Sequence, residues 1–321
     1  MSLDHLFSSK QNKPLDTLFE TKVTPVPLSS ETPLAPLPIP EKKSKAKPTK
    51  RFENYEVLEE IARGAMGTVY KVKQLKTEQI YALKVITTGT QDVFPELATR
   101  FQRETQILMK LNHPGIVQVF DAGKEKNDYY YVMEFIDGKP LNQLISEGLD
   151  GLKGVSLLQK TLEALDYIHQ QDILHRDIKP ANIFVTQEGT PKLGDFGIAK
   201  DLLDSECLTR TGMIMGTPFY MPPELLTGIK TAPDIRSDIY SIGACLYEIL
   251  TRKCPFEGES LFEILNKIRR TPVVPPSQHN PNIPALLDKI VLHSLEKDPH
   301  KRYASAGAFA LELRLFLMQQ K

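Results

Sequence analysis

The 321-residue chain has no tryptophan and only three cysteines, Cys207, Cys245 and Cys254. Three thiols, odd in number and late in the sequence, cannot staple a secreted disulfide framework, so a reducing, cytoplasmic setting is expected. Net charge is also absent, with 40 Lys and Arg against 40 Asp and Glu. Coating nucleic acid requires an excess of cations, so no nucleic-acid partner is expected. The longest largely apolar stretch without charge, Ile239–Tyr247, falls well short of the ~18 residues of a membrane span and reads as a buried helix. The N-terminus has no charged start followed by an apolar run, the pattern of a secretory leader.

What is present is unevenly distributed. Residues 1–50 hold eight of the 24 prolines, eight lysines, no arginine and five acids, a surplus of three positive charges, so residues 51–321 carry 32 basic against 35 acidic side chains. Prolines at this density interrupt both helices and sheet ladders, and residues 1–53 are predicted to be an extended, disordered tail. Two segments repeat at an offset of twelve, Leu3-Asp4-His5-Leu6-Phe7-Ser8-Ser9-Lys10 and Leu15-Asp16-Thr17-Leu18-Phe19-Glu20-Thr21-Lys22. Both read LDxLFxxK, with Leu, Leu and Phe spaced to share one helical face. They are either a chance similarity in a polar tail or a bivalent docking motif for a partner's groove. The basic cluster Lys42, Lys43, Lys45, Lys47, Lys50 and Arg51 is either a solvated linker or a contact for an acidic surface.

From Tyr55 the texture changes. Period-two patterns at Tyr55–Ile61, Thr68–Lys73, Ile80–Ile86, Ile116–Phe120 and Tyr129–Glu134 predict antiparallel strands, with one helix over Glu96–Leu111 among them. Beyond Gly138 the patterns are helical: Leu141–Glu147, Leu157–Gln170, Ser237–Leu250, Leu261–Arg269, Ile283–Leu295 and Ala304–Met318. A β-rich lobe followed by a larger helical lobe makes an α+β fold with a cleft. Ile61-Ala62-Arg63-Gly64-Ala65-Met66-Gly67-Thr68-Val69-Tyr70 joins two strands, so it is not a dinucleotide fingerprint, which would open a helix. It suits a flap whose backbone N–H groups cover phosphates.

The following motifs carry a resemblance. Tyr81-Ala82-Leu83-Lys84-Val85-Ile86, His175-Arg176-Asp177-Ile178-Lys179-Pro180-Ala181-Asn182 and Asp195-Phe196-Gly197 stand in that order, followed by Gly216-Thr217-Pro218-Phe219-Tyr220 and Pro222-Pro223-Glu224. The set resembles bacterial, Hanks-type serine/threonine protein kinases. It implies a kinase domain over 54–319, with a small lobe at 54–134, a hinge at 134–138 and a large lobe at 139–319. It also implies ATP, Mg²⁺ with Mn²⁺ as an alternative, and protein substrates bearing Ser or Thr hydroxyls.

By that resemblance Asp177 orients the attacking hydroxyl and takes its proton, Lys179 neutralises the transferring phosphoryl group, and Asn182 and Asp195 hold the metal. Lys84 contacts the α- and β-phosphates and is held by Glu104, which falls on the apolar stripe of the Glu96–Leu111 helix. Ile61, Val69, Ala82 and Phe184 wall the base, Met133 is the gatekeeper, and the backbone of Glu134 and Ile136 binds adenine. Phe196 packs on His175, Asp238 anchors the catalytic loop, and Glu224 pairs with Arg302. Thr209 and Thr211 resemble autophosphorylation sites whose phosphates would pair with Arg176. Two departures from the pattern are Ala62, where the family has the first loop glycine, and Pro222, where it has alanine. The rival reading is a pseudokinase scaffold that binds nucleotide and partners. Many relatives carry a membrane span after the kinase domain, and the sequence ending at Lys321 is either a soluble member or part of a longer protein.

Overall fold

Alternating polar and apolar residues build an antiparallel sheet from Arg51–Phe52 (β1), Tyr55–Gly64 (β2), Gly67–Gln74 (β3), Ile80–Ile86 (β4), Val119–Glu125 (β5) and Asp128–Glu134 (β6), in the order β1-β2-β3-β4-β6-β5. The computed structural model describes residues 51–64, 67–86, 95–125, 128–197, 218–226 and 234–320, without the side chains of 51 and 95–98. Because neighbouring side chains on a strand point to opposite faces, β4 and β6 divide between two cores. Leu83, Val85, Tyr130 and Val132 pack with Phe52, Tyr55, Val57 and Val72 on one side. Ala82, Tyr129, Tyr131 and Met133 face the other side, where Phe101 and Leu108 of the helix Pro95–Met109 (α1) join the main core. Lys84 belongs to this second face, and its register partner on β6 is Tyr131.

The strand expected at Ile116–Phe120 begins instead at Val119. Ile116 makes an isolated parallel bridge to Leu193, and the Val117 N–H donates to the Leu193 carbonyl at 2.9 Å. This segment therefore ties the small lobe to a three-stranded sheet absent from the sequence expectation, Gly138–Pro140 (β7), Ile183–Thr186 (β8) and Pro191–Leu193 (β9).

The large lobe is helical. After Leu141–Ser146 (α2), the helix Gly151–His169 (α3) packs against Ile235–Thr251 (α4) and the C-terminal helix Ala306–Met318. Helix α4 contains the Ile239–Tyr247 stretch, every residue of which is buried. Helix α3 starts six residues earlier than its periodicity suggested. Asp150 caps it by accepting the Lys153 N–H at 2.9 Å. The two glycines that look like breakers are absorbed into its first turn, and Gly154 is required there because a Cβ would lie 2.4 Å from Cγ2 of Ile249. All described residues belong to one compact unit, Lys47–Lys321. Among them, no helix is long and apolar enough to cross a membrane.

Candidate active site

The loop Leu174–Asn182 is held from below by Asp238 of α4, a carboxylate only 2% exposed. Its Oδ2 accepts the His175 N–H at 2.9 Å and lies 3.0 Å from Nε2 of His169, and its Oδ1 accepts the Arg176 N–H at 2.9 Å. Burial pushes the Asp238 carboxyl up, but the hydrogen bond and field of His169, with the field and N–H of His175, outweigh it and bring it below its ordinary value. Asp238 thus holds two backbone N–H groups of this loop and is also a first-turn residue of α4. The N-cap itself is Asp234, which accepts the Arg236 N–H at 2.8 Å. Arg176 is left-handed at φ +64°, a conformation that costs ~1–3 kcal/mol and persists only where the surroundings impose it. The two N–H bonds to Asp238 impose it here.

His175 is fully buried, and its ring sits 4.6 Å from that of Phe196. Burial pushes the imidazole below its ordinary value despite the nearby Asp238 and Asp177. The neutral ring donates from Nε2 to the Gly194 carbonyl at 2.9 Å, leaving Nδ1 to accept the Asp177 N–H at 3.3 Å. These contacts make His175 a spacer between two loops.

Above this platform, Oδ2 of Asp177 accepts Nζ of Lys179 at 2.9 Å and Nδ2 of Asn182 at 3.0 Å, and Asn182 also donates to the Asp177 carbonyl at 2.7 Å. Asn182 therefore turns its amide nitrogen toward Asp177 and its Oδ1 away. No described residue donates to Oδ1 of Asn182 or to Oδ2 of Asp195. One amide oxygen and one carboxylate oxygen form a hard donor pair suited to Mg²⁺, which takes few protein ligands and completes its shell with water and phosphate. The residues present fit that ion. Among the described residues there is no cluster of three His, Cys, Asp or Glu that would suggest another metal site.

The pairing of Lys84 with Glu104 is not made. Nζ of Lys84 lies 2.6 Å from Oδ1 of Asp195, and among the described residues Glu104 makes no hydrogen bond or ion pair. The reason lies in the face that α1 presents. Phe101, Thr105 and Leu108 form its buried stripe, and Thr105 satisfies its hydroxyl on the Phe101 carbonyl at 2.8 Å. Glu104 sits on the shoulder of that stripe, half-buried. The sequence reading also missed Tyr131, whose phenol donates to the same Asp195 oxygen at 3.2 Å. Burial, with Asp195 beside it, pushes the phenol well above its ordinary value, so it remains a donor. Asp195 is itself left-handed at φ +55°.

The residues expected around a base are only partly assembled. Ala82 and Met133 are register partners on β4 and β6, and with Val69, Ile136 and Phe184 they belong to one apolar cluster. Ile61 is 47% exposed and stands outside it. The Glu134 side chain is held by Lys192 at 2.9 Å, and its N–H donates to the Gln118 carbonyl at 2.8 Å. In the β2–β3 turn, Gly64 pairs with Gly67 and Arg63 with the buried Thr68, while Arg63 caps Glu60 with two bonds of 2.9 and 2.7 Å. Gly67 cannot be replaced, since at φ +138° a Cβ would lie 1.8 Å from the Val85 carbonyl oxygen. Ala62 pairs with Val69 next to a register shift, so the extra methyl is carried on an exposed strand. Ala65, Met66, Thr209, Thr211, Thr217 and residues 1–50 of the tail, with its repeats, lie outside the described residues, whereas Arg51–Phe52, expected in the disordered tail, form β1 because Phe52 is buried against the sheet.

The sequence pattern of the protein kinase domain matches residues 55–312. The chain belongs to the protein kinase family. This kinase is 37% identical over 257 residues to a probable serine/threonine-protein kinase of Clostridium perfringens, covering 78% of this chain and 36% of the relative. It is 35% identical over 274 residues to the serine/threonine-protein kinase PknB of Mycobacterium tuberculosis, covering 83% and 43%. It therefore spans about two fifths of the length of the curated relatives it matches. Among solved structures, the PknI kinase domain of Mycobacterium tuberculosis superposes with a TM-score of 0.66 at 28% identity, over 85% of this chain and 99% of that one. The bilobal kinase fold expected from the sequence is thereby established.

In this kinase Glu224 and Arg302 form a two-pronged pair at 2.8 and 2.7 Å. The Arg302 side chain is wholly buried, and its remaining N–H groups reach the carbonyls of Glu296, Arg236 and Lys297. Ser237 adds a bond to Glu224 at 2.8 Å. The pair fixes the segment after the undescribed 198–217 stretch onto α4.

Proposed function

We propose that the chain is an active protein serine/threonine kinase that transfers the γ-phosphoryl group of ATP to Ser or Thr hydroxyls of proteins. The observation that carries this reading is the cluster in which Asp177 accepts both Lys179 and Asn182, and the Asn182 amide also lies 3.5 Å from the Asp195 carbonyl. It gathers a carboxylate, a cation and, on Asn182 and Asp195, two oxygens that take no hydrogen bond from the described residues, the groups that in-line transfer requires. The Asp177 carboxylate would orient the acceptor hydroxyl and take its proton, and the Lys179 ammonium, already 2.9 Å from it, would neutralise charge on the moving phosphoryl group. The Gly67 turn would bring backbone N–H groups over the phosphates, and Lys84 would leave Asp195 to meet them. Asn182 and Asp195 would hold Mg²⁺, which when bound supplies charge neutralisation for the phosphates. Intact Lys84, Asp177, Asn182 and Asp195 favour this reading over a pseudokinase scaffold.

The proposal includes regulation by autophosphorylation at Thr209 and Thr211, a cytoplasmic kinase domain over 54–319, and a docking role for the LDxLFxxK repeats. The decisive experiment is phosphate incorporation from labelled ATP. Asp177→Asn should lower kcat by about 10³-fold with its melting temperature retained, and equal incorporation by variant and wild type would defeat the catalytic assignment. Mass spectrometry of ATP-treated enzyme should find Thr209 and Thr211 phosphorylated, and loss of both on Asp177→Asn. Pull-downs with Leu6, Phe7, Leu18 and Phe19 changed to Ala should lose a partner retained by the wild type.

A further inference from the structure

One oxygen of Asp195 is served twice. Lys84 approaches Oδ1 at 2.6 Å from β4, and the Tyr131 phenol donates to the same atom at 3.2 Å from β6. The two donors are register partners on adjacent strands, so the sheet itself sets their spacing, and Tyr131 is only 3% exposed. Oδ2 of Asp195 takes no hydrogen bond from the described residues. We propose that Tyr131 is a positioning residue that fixes the Asp195 carboxylate, keeping Oδ1 turned into the small lobe and Oδ2 presented to the metal. This rests on the kinase reading above, in which Lys84 must leave Asp195 to serve the phosphates. When it leaves, Tyr131 is the described side chain that still holds Oδ1. A left-handed residue at φ +55° with its carboxylate unheld would swing between orientations, and the metal site would lose its fixed ligand. Partners that orient a ligating carboxylate typically govern metal affinity by about 10–100-fold.

The test uses the full chain with ADP and Mn²⁺ as the probe, reading bound Mn²⁺ by electron paramagnetic resonance rather than by turnover. Tyr131→Phe removes one hydroxyl and leaves the ring in place. It should raise the Mn²⁺ dissociation constant about 10-fold and shift the Mg²⁺ half-saturation of turnover in parallel, with kcat at saturating Mg²⁺ changing less. Tyr130→Phe, on the opposite face of β6, should leave both unchanged. If Tyr131→Phe also lowers the metal-free melting temperature, Tyr131→Met, equally deprived of the donor, must show the same loss of Mn²⁺ affinity. Unchanged or tighter Mn²⁺ binding in Tyr131→Phe would overturn the proposal while leaving the kinase reading intact, provided Asp195→Asn abolishes Mn²⁺ binding. Retention of binding by Asp195→Asn would overturn the metal assignment and the role of Tyr131 with it.

Discussion

Two polar networks, one around Asp238 and Arg302 and one around Asp195, are built on opposite terms. Beneath the catalytic loop, the Asp238 carboxylate is met by His169 and two backbone N–H groups, and the Arg302 guanidinium spends its donors on Glu224 and three carbonyls. Around Asp195, among the described residues, one carboxylate oxygen has no protein donor, Lys84 sits on Asp195 rather than on Glu104, and Glu104 has no partner. In the first network both Asp238 oxygens and all three Arg302 nitrogens are paired, with Nδ1 of His169 the one buried atom left over among the side chains named, and so many fixed partners favour one arrangement. The second is incomplete among the described residues, as the proposed function requires, since a group that would hold a metal or a phosphate cannot be satisfied by protein beforehand. Buried, fully paired groups resist change, whereas half-paired groups at a cleft can exchange partners.

Stability measurements can break this comparison. The largest loss is expected from Arg302→Ala, which leaves the Glu224 carboxylate without its fork and three carbonyls short of a donor. Breaking a buried pair from one side costs about 3–5 kcal/mol, read as a shift of the urea midpoint. A loss under about 1 kcal/mol would show that the pair is no structural tie. Asp238→Asn should follow at about 3 kcal/mol, because the amide oxygen can serve at most the two donors that meet at Oδ2, and its own N–H groups then face the Arg176 N–H. It carries a pH signature as well. A carboxyl whose folded value lies below its unfolded one stabilises the fold above the unfolded value and loses that contribution as the pH falls through the folded value. Wild type should therefore lose stability on acidification more steeply than Asp238→Asn, and parallel acid limbs would contradict the direction assigned to this group.

The two networks also differ in how far the sequence disclosed them. Asp177, Lys179, Asn182, Asp195, Glu224, Asp238 and Arg302 sit in short ordered motifs, and local chain geometry delivers them to their places: a loop pinned at both ends, a first helical turn, a tight left-handed residue. The strands and long helices were legible for a related reason, because period-two and period-3.6 patterns encode which face is buried. What escaped depends on packing between distant segments. Tyr131 stands 64 residues from Asp195, in a run of three tyrosines that reads only as a strand. Its value comes from being opposite Lys84, a register no local pattern reports. The partner of Lys84 escaped likewise, since whether Glu104 faces it depends on where α1 rests against the sheet. The small sheet β7-β8-β9 has strands of three and four residues, too short for periodicity.

In the network around Asp195, smaller changes are expected. Lys84→Met should cost only about 1 kcal/mol of stability, since Asp195 is a quarter exposed and keeps the Tyr131 bond. Phosphotransfer should nonetheless fall by more than 10²-fold. A stability loss matching that of Arg302→Ala would mean that the two networks are equivalent and the contrast between them false.

Glu104→Ala should change the fold least of all. With no partner to strand among the described residues, and with its aliphatic stem on the shoulder rather than in the centre of the buried stripe, the substitution should stay within about 0.5 kcal/mol of wild type. Alanine's helix preference works in the same direction. Activity is the sharper readout. If Lys84 leaves Asp195 for the phosphates and Glu104 receives it there, the variant should lose about 10-fold or more in kcat while melting as wild type does. Glu104→Gln, which keeps a hydrogen-bond acceptor but no charge, should fall between the two. Wild-type kcat in Glu104→Ala would mean that Lys84 works without this acid. Asp195 and Tyr131 would then be the partners that position Lys84 throughout the cycle, and the arrangement seen here would be the working one.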